Sequence, residues 1–87
     1  MVYKPLSQLI DGIDLLSRQG NADPVIKQVA YDSRKVTRGT LFVAIPGDHV
    51  DGHTFIGEAL KRGAAAVLYS DPSADVSKAP VALQVAE

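Results

Sequence analysis

The chain has 87 residues, of which 46% are hydrophobic and 22% charged; that is enough for one small domain and too apolar for general disorder. Lys and Arg number 9 against 10 Asp and Glu, so no charge excess attracts nucleic acid or an anionic membrane. There is no cysteine, which excludes a disulfide scaffold, a thiolate zinc site and a Cys nucleophile. Apolar runs such as 64–69 fall far short of the about 20 residues of a membrane span. The start, Met1-Val2-Tyr3-Lys4-Pro5, lacks the basic-then-apolar layout of a signal peptide. A soluble, cytoplasmic domain is the expectation.

Pro5 can open a first helix, where its missing N–H would be unpaired anyway. Leu6, Leu9, Ile10 and Ile13 then fall on one stripe. Residues 15–24, with Gly20, Asn21, Asp23 and Pro24, read as a turn region. Val25 to Tyr31 reads as the first strand, broken by the short polar groups of Asp32-Ser33-Arg34. Lys35 to Gly39 is a basic, exposed connection that closes in a tight turn at Gly39-Thr40. Leu41 to Ile45 is apolar at every position, as in a strand covered on both faces.

A loop at Pro46-Gly47-Asp48-His49 leads to a helix predicted over His53 to Arg62. Asp51 can cap its start, Phe55, Ile56, Ala59 and Leu60 form its buried stripe, and Gly63 supplies the left-handed stop. Strands are predicted at 64–69 and 80–85. Phe42, Val43, Phe55, Ile56, Leu60, Val67 and Leu68 are the expected core. The order predicts a small single α/β domain with a mixed, mostly parallel sheet and packed helices.

Neither a P-loop nor a dinucleotide fingerprint occurs. His49 and His53, with Asp48 and Asp51 as further ligand candidates, lack a metalloprotease layout and read as two solvated histidines at a helix entrance. Asp32 and Ser33 lack the G-x-S-x-G elbow of a hydrolase; side-chain-to-backbone bonds at a strand end are the expected role. Two polar loops remain, 32–34 and 47–52. If their strands are parallel neighbours, both lie on one rim, beyond the carboxyl ends of the sheet, where ligands gather. Ser33, Arg34 and the N–H groups of the helix start would suit an anionic or heterocyclic ligand such as a nucleotide diphosphate.

The order D-S-R-x-V-x-x-G-x-L-F-V-A-I-x-G-x-x-x-D-G-H, from Asp32 to His53, followed by Phe55-Ile56, Ala59 and Gly63-Ala64-Ala65-Ala66-Val67, resembles the N-terminal domain of the Mur ligases. It is most similar to the MurE type, UDP-N-acetylmuramoyl-dipeptide ligase, and shares much with the MurF type. The resemblance runs from Pro5 to Val85. It implies a domain, here 1–87, that binds the UDP part of a UDP-N-acetylmuramoyl-peptide in peptidoglycan synthesis. Tyr31 and Ser33 match positions that contact this substrate. Asp48, His49 and Val50 match the segment that meets the uracil end, with Asp48 where a His is often found. ATP and Mg2+ would belong to a central domain with a T-G-T-N-G-K-T loop, and the incoming amino acid to a C-terminal domain. Neither is present in this sequence, so the chain would be inactive alone, with the remaining ligase domains as partners in cis. The alternatives are a stand-alone interaction or scaffold module that keeps the fold, and the equivalent domain of a MurF-type ligase.

Overall fold

The computed structural model describes residues 3–46 and 51–86. In chain order the elements are β1 (Lys4–Pro5), α1 (Leu6–Leu9), β2 (Leu15–Gln19), β3 (Val25–Ile26), β4 (Gln28–Ala30), β5 (Thr40–Val43), α2 (Ile56–Lys61), β6 (Ala66–Tyr69) and β7 (Ala82–Val85). Short 3-10 turns lie at Ser33–Lys35 and Gly52–Phe55. β1 and β3 form a small antiparallel ribbon, and the other strands form one sheet in the order β2-β7-β6-β5-β4. β4, β5, β6 and β7 run parallel, with β2 antiparallel on the edge beside β7. This is the mixed, mostly parallel α/β sheet that the apolar runs predict.

The two faces of the sheet have separate cores. Phe42, Ala44, Val67, Tyr69 and Ala82 pack with Ile56 and Ala59 of α2. Leu41, Ala66 and Leu83 point the other way and pack with Leu6 of α1 and Ile26. The alternation 41/42, 66/67 and 82/83 is the two-residue period of a strand. Both sides are covered, so both sets of positions are apolar and the runs look continuous.

Four expectations need correction. Residues 15–24 are not all turn, because Leu15–Gln19 forms edge strand β2. Most of its side chains are exposed, so no apolar alternation marks it. The strand predicted over 25–31 divides at Lys27. Val25–Ile26 pairs with β1, Lys27 N–H donates to Gly39 O at 2.8 Å, and Gln28–Ala30 joins the large sheet. Phe55 is not core: it is 37% exposed, while Phe42 is fully buried. Ile13, expected on the buried stripe of α1, is also exposed, since that helix ends at Leu9.

The helix predicted over 53–62 begins as a 3-10 turn at Gly52–Phe55 and becomes α-helical only over Ile56–Lys61. Asp51 accepts the His53 N–H at 2.9 Å and so caps the 3-10 turn, not α2, while Gly63 ends α2 with a φ of 102°, a conformation open to glycine. Among the described residues no helix is long and apolar enough to cross a membrane.

Candidate functional site

β4 and β5 are parallel neighbours, so the segments leaving their carboxyl ends emerge on one rim. After Ala30, the chain turns through Asp32. Its Oδ1 accepts the Arg34 N–H at 3.0 Å, the local bond that starts the 3-10 turn. The same carboxylate holds the Arg34 guanidinium through Nε at 3.1 Å and Nη2 at 2.9 Å. These bonds, the guanidinium first and the backbone N–H second, lower the Asp32 carboxyl to about 2.

Ser33 is 5% exposed, and its hydroxyl donates to Glu58 Oε2 of α2 at 3.1 Å. Glu58 Oε1 accepts Arg62 Nε at 3.2 Å, one helical turn on. In place of the side-chain-to-backbone bond expected of Ser33 at this strand end, its hydroxyl bonds a side chain of α2. Asp32 closes the turn, and Ser33 ties it to α2.

Between these segments lies a cleft of about 650 Å³. Asp32, Ser33, Arg34 and Glu58 form its polar side, and Tyr31, Ile45 and Phe55 its apolar side, with Gly52 at the edge. Tyr31, Ile45 and Phe55 are all among the exposed large hydrophobic residues. Their convergence on one concavity is the kind of apolar exposure that marks a ligand site.

The Gly52 N–H donates to Ile45 O at 2.8 Å, and Pro46 and Asp51 form an antiparallel bridge. A Cβ at Gly52 would lie 2.7 Å from Ile45 O, so only glycine permits this approach. Asp48, His49 and Val50, the other predicted contacts, lie outside the described residues. The structure brings Tyr31 and Ser33 together, and puts the flanks of 47–50 beside the same cleft.

The helix start does not present the open N–H groups that the sequence suggests. Gly52 N–H is engaged by Ile45, His53 N–H by the Asp51 carboxylate, and Thr54 N–H by Asp51 O. Nor is His53 a solvated histidine, its side chain being 5% exposed. Nδ1 lies 2.6 Å from Asp51 Oδ1, and Nε2 accepts the N–H groups of Ser70 at 3.1 Å and Asp71 at 3.0 Å. An acceptor Nε2 fixes the tautomer, with the proton on Nδ1 facing Asp51. The Asp51, His53 and Asp71 donor atoms lie within 4.8 Å of one another. A metal would have to displace one of these bonds, so the cluster is a clamp between the helix entrance and the end of β6.

Sequence reasoning missed Glu58 and placed Phe55 in the core. One signal was available: the two are three apart, on the same face of a helix, at the border of the apolar stripe.

The family model described as "Mur ligase family, catalytic domain" matches residues 25–86. The UDP-N-acetylmuramyl-tripeptide synthetase of Roseiflexus sp. (strain RS-1) is 60% identical over 53 residues, 61% of this chain and 10% of that protein. A UDP-N-acetylmuramoyl-L-alanyl-D-glutamate–2,6-diaminopimelate ligase of Pseudomonas putida is 43% identical over 76 residues, 87% of this chain and 14% of that protein. The chain thus spans only a small part of these relatives. A MurF crystal structure from Acinetobacter baumannii shares the fold, with a TM-score of 0.68 at 24% identity over 100% of this chain and 19% of that one. Since the family model spans residues 25–86, most of the sequence, the chain belongs to the Mur ligase family.

Proposed function

We propose that this chain is the N-terminal, substrate-binding domain of a MurE-type ligase, and that its cleft holds the UDP end of a UDP-N-acetylmuramoyl-peptide. The observation that carries this reading is the convergence of exposed Tyr31, Ile45 and Phe55 with Ser33 and Arg34 around one cavity. Aromatic and aliphatic walls suit a uracil ring. The Ser33 proton is engaged by Glu58; the Arg34 guanidinium, though held by Asp32 through Nε and Nη2, is exposed and keeps Nη1 outside those bonds for a diphosphate. Tyr31 and Ser33 serve as contacts, and Asp48, His49 and Val50 complete the uracil end, a reading supported by Ile45 and Gly52, on either side of that segment, lining the cleft.

The relatives named as tripeptide synthetase or diaminopimelate ligase favour the MurE type over the MurF type. On this reading the domain works in the cytoplasm, in peptidoglycan precursor synthesis, with the remaining ligase domains in cis. ATP and Mg2+ chemistry belongs to a central domain, because this sequence has no phosphate loop; the chain alone neither binds nor hydrolyses ATP.

The test is an amide-shift titration of the chain with UDP-N-acetylmuramoyl-dipeptide. Saturable shifts at Tyr31, Ser33 and Phe55 are expected. No shift there at millimolar ligand would leave the stand-alone scaffold as the better reading.

A further inference from the structure

The opposite end of the sheet carries a second cleft, of about 560 Å³. It is built where the chain enters the parallel strands. Lys27 precedes β4, Arg38 precedes β5, and Lys78 and Pro80 precede β7. Leu60 of α2 and Val25 contribute apolar wall. Among the described residues no carboxylate lines this cleft.

None of these cations is in a direct salt bridge among the described residues, where the pairs are Arg34–Asp32, His53–Asp51 and Arg62–Glu58, although Lys78 lies near enough to Asp75 to lower that carboxyl. The acids nearest in sequence are turned to their own loops. Asp23 accepts the N–H and hydroxyl of Ser7, both at 2.7 Å. Asp75 accepts the N–H and hydroxyl of Ser77 at 3.1 and 2.7 Å.

The backbone under two of these cations is also fixed. Lys27 N–H donates to Gly39 O at 2.8 Å, and Gly39 N–H to Gly63 O at 3.3 Å. The Lys27 stem lies across Gly39, where an added Cβ would come within 3.0 Å of Lys27 Cδ. Gly63 abuts the Arg38 backbone in the same way, at 3.1 Å. Both glycines have positive φ, 87° and 102°. In a chain of net charge −1, Lys27, Arg38 and Lys78 border one apolar concavity, an arrangement that favours an anion with an apolar part.

We propose that this cleft is a second binding site, for a small organic anion: a phosphate ester or carboxylate whose compact apolar part rests on Leu60, Val25 and Pro80. The head group is met by Lys27, Arg38 and Lys78. The site is separate from the candidate substrate cleft and stands independently of the function proposed for it.

The experiment is an amide-shift titration of the 87-residue chain at constant ionic strength, with phenyl phosphate and benzoate in separate arms and phenol as the uncharged control. Saturable shifts at Lys27, Gly39, Gly63 and Ala65, with Tyr31 and Phe55 still, are expected for at least one anion. The arm that saturates at lower concentration identifies the head group. Arg38→Gln should weaken binding at least about fivefold, and Lys27→Gln with Arg38→Gln should abolish it, with melting unchanged because both side chains are unpaired. Linear, unsaturated shifts for both anions, equal shifts with phenol, or unchanged affinity in the double variant would overturn the proposal. So would shifts confined to the cleft at Tyr31 and Phe55.

Discussion

Ser33 and Glu58, 25 positions apart, are joined by a hydroxyl-to-carboxylate hydrogen bond of 3.1 Å that ties the end of β4 to α2. Ser33 is buried and Glu58 half-exposed, and both line the cleft. Ser33→Ala removes the bond while leaving Glu58 access to water and to Arg62. The expected loss is about 1 kcal/mol of stability, read by urea denaturation. Glu58→Gln keeps an acceptor oxygen for Ser33 and should lose less. If Ser33→Ala is neutral to stability yet lowers nucleotide affinity, the bond to Glu58 contributes nothing and Ser33 acts on ligand alone.

His53 gives the second prediction. Its Nε2 is the acceptor for two backbone N–H groups, of Ser70 and Asp71. His53→Phe keeps a ring of similar width and leaves both donors to find water at a half-buried place. A loss of roughly 1–3 kcal/mol is expected. Amide exchange should speed up at Ser70 and Asp71 before it does in β6. Unchanged protection at those two amides would show that the clamp does not hold the β6 end.

The strands and the helix after them were legible because their cause is local. Leu41 to Ala44 alternates between two cores, so every position is apolar. Asp51 and Gly63 are capping residues whose chemistry acts within a few residues. What stayed hidden depends on distant partners. β2 is an exposed edge whose identity rests on pairing with β7; Ser17 bonds Gln84 across 67 positions. The Ser33–Glu58 bond and the seat of His53 against Ser70 and Asp71 likewise need the folded sheet to bring their partners together. Phe55 sits at the border of a helical stripe, where spacing does not separate a core side chain from a cleft wall. The cleft itself was legible only in part, through Tyr31, Ser33 and Arg34; Glu58, Ile45 and Phe55 came from the structure.

Acid should weaken the fold through its turn carboxylates. Asp32 is held at about 2 from an ordinary value of 3.8. The folded state therefore favours the ionised form. That contribution is fully present above about pH 4 and is lost as pH falls through about 2. Asp23, Asp51, Asp71 and Asp75 are lowered for similar reasons, chiefly bonds from Ser7, His53, Ser73 and Ser77, so several groups act in one window. Asp32→Asn should reduce the stability difference between pH 5 and pH 2.5, measured by urea denaturation at each. An unchanged difference would mean that the Arg34 bonds persist equally in the unfolded chain.

The two phenylalanines should separate fold from site. Phe42 is fully buried on the central part of the sheet, packed under α2. Phe42→Ala leaves a cavity and should cost about 3–5 kcal/mol, enough to unfold much of the population in so small a domain. Phe55 is 37% exposed and lines the cleft. Its truncation removes no fully buried contact, so the loss should stay near 1 kcal/mol. If the cleft receives a uracil ring, the same change removes one stacking surface and should weaken UDP-substrate binding roughly tenfold. Thermal melting and the amide-shift titration give the two readings on the same samples. A Phe55→Ala variant that melts as low as Phe42→Ala would place the ring in the core after all. One that melts normally and binds normally would remove Phe55 from the substrate wall and shift recognition to Tyr31 and Ile45.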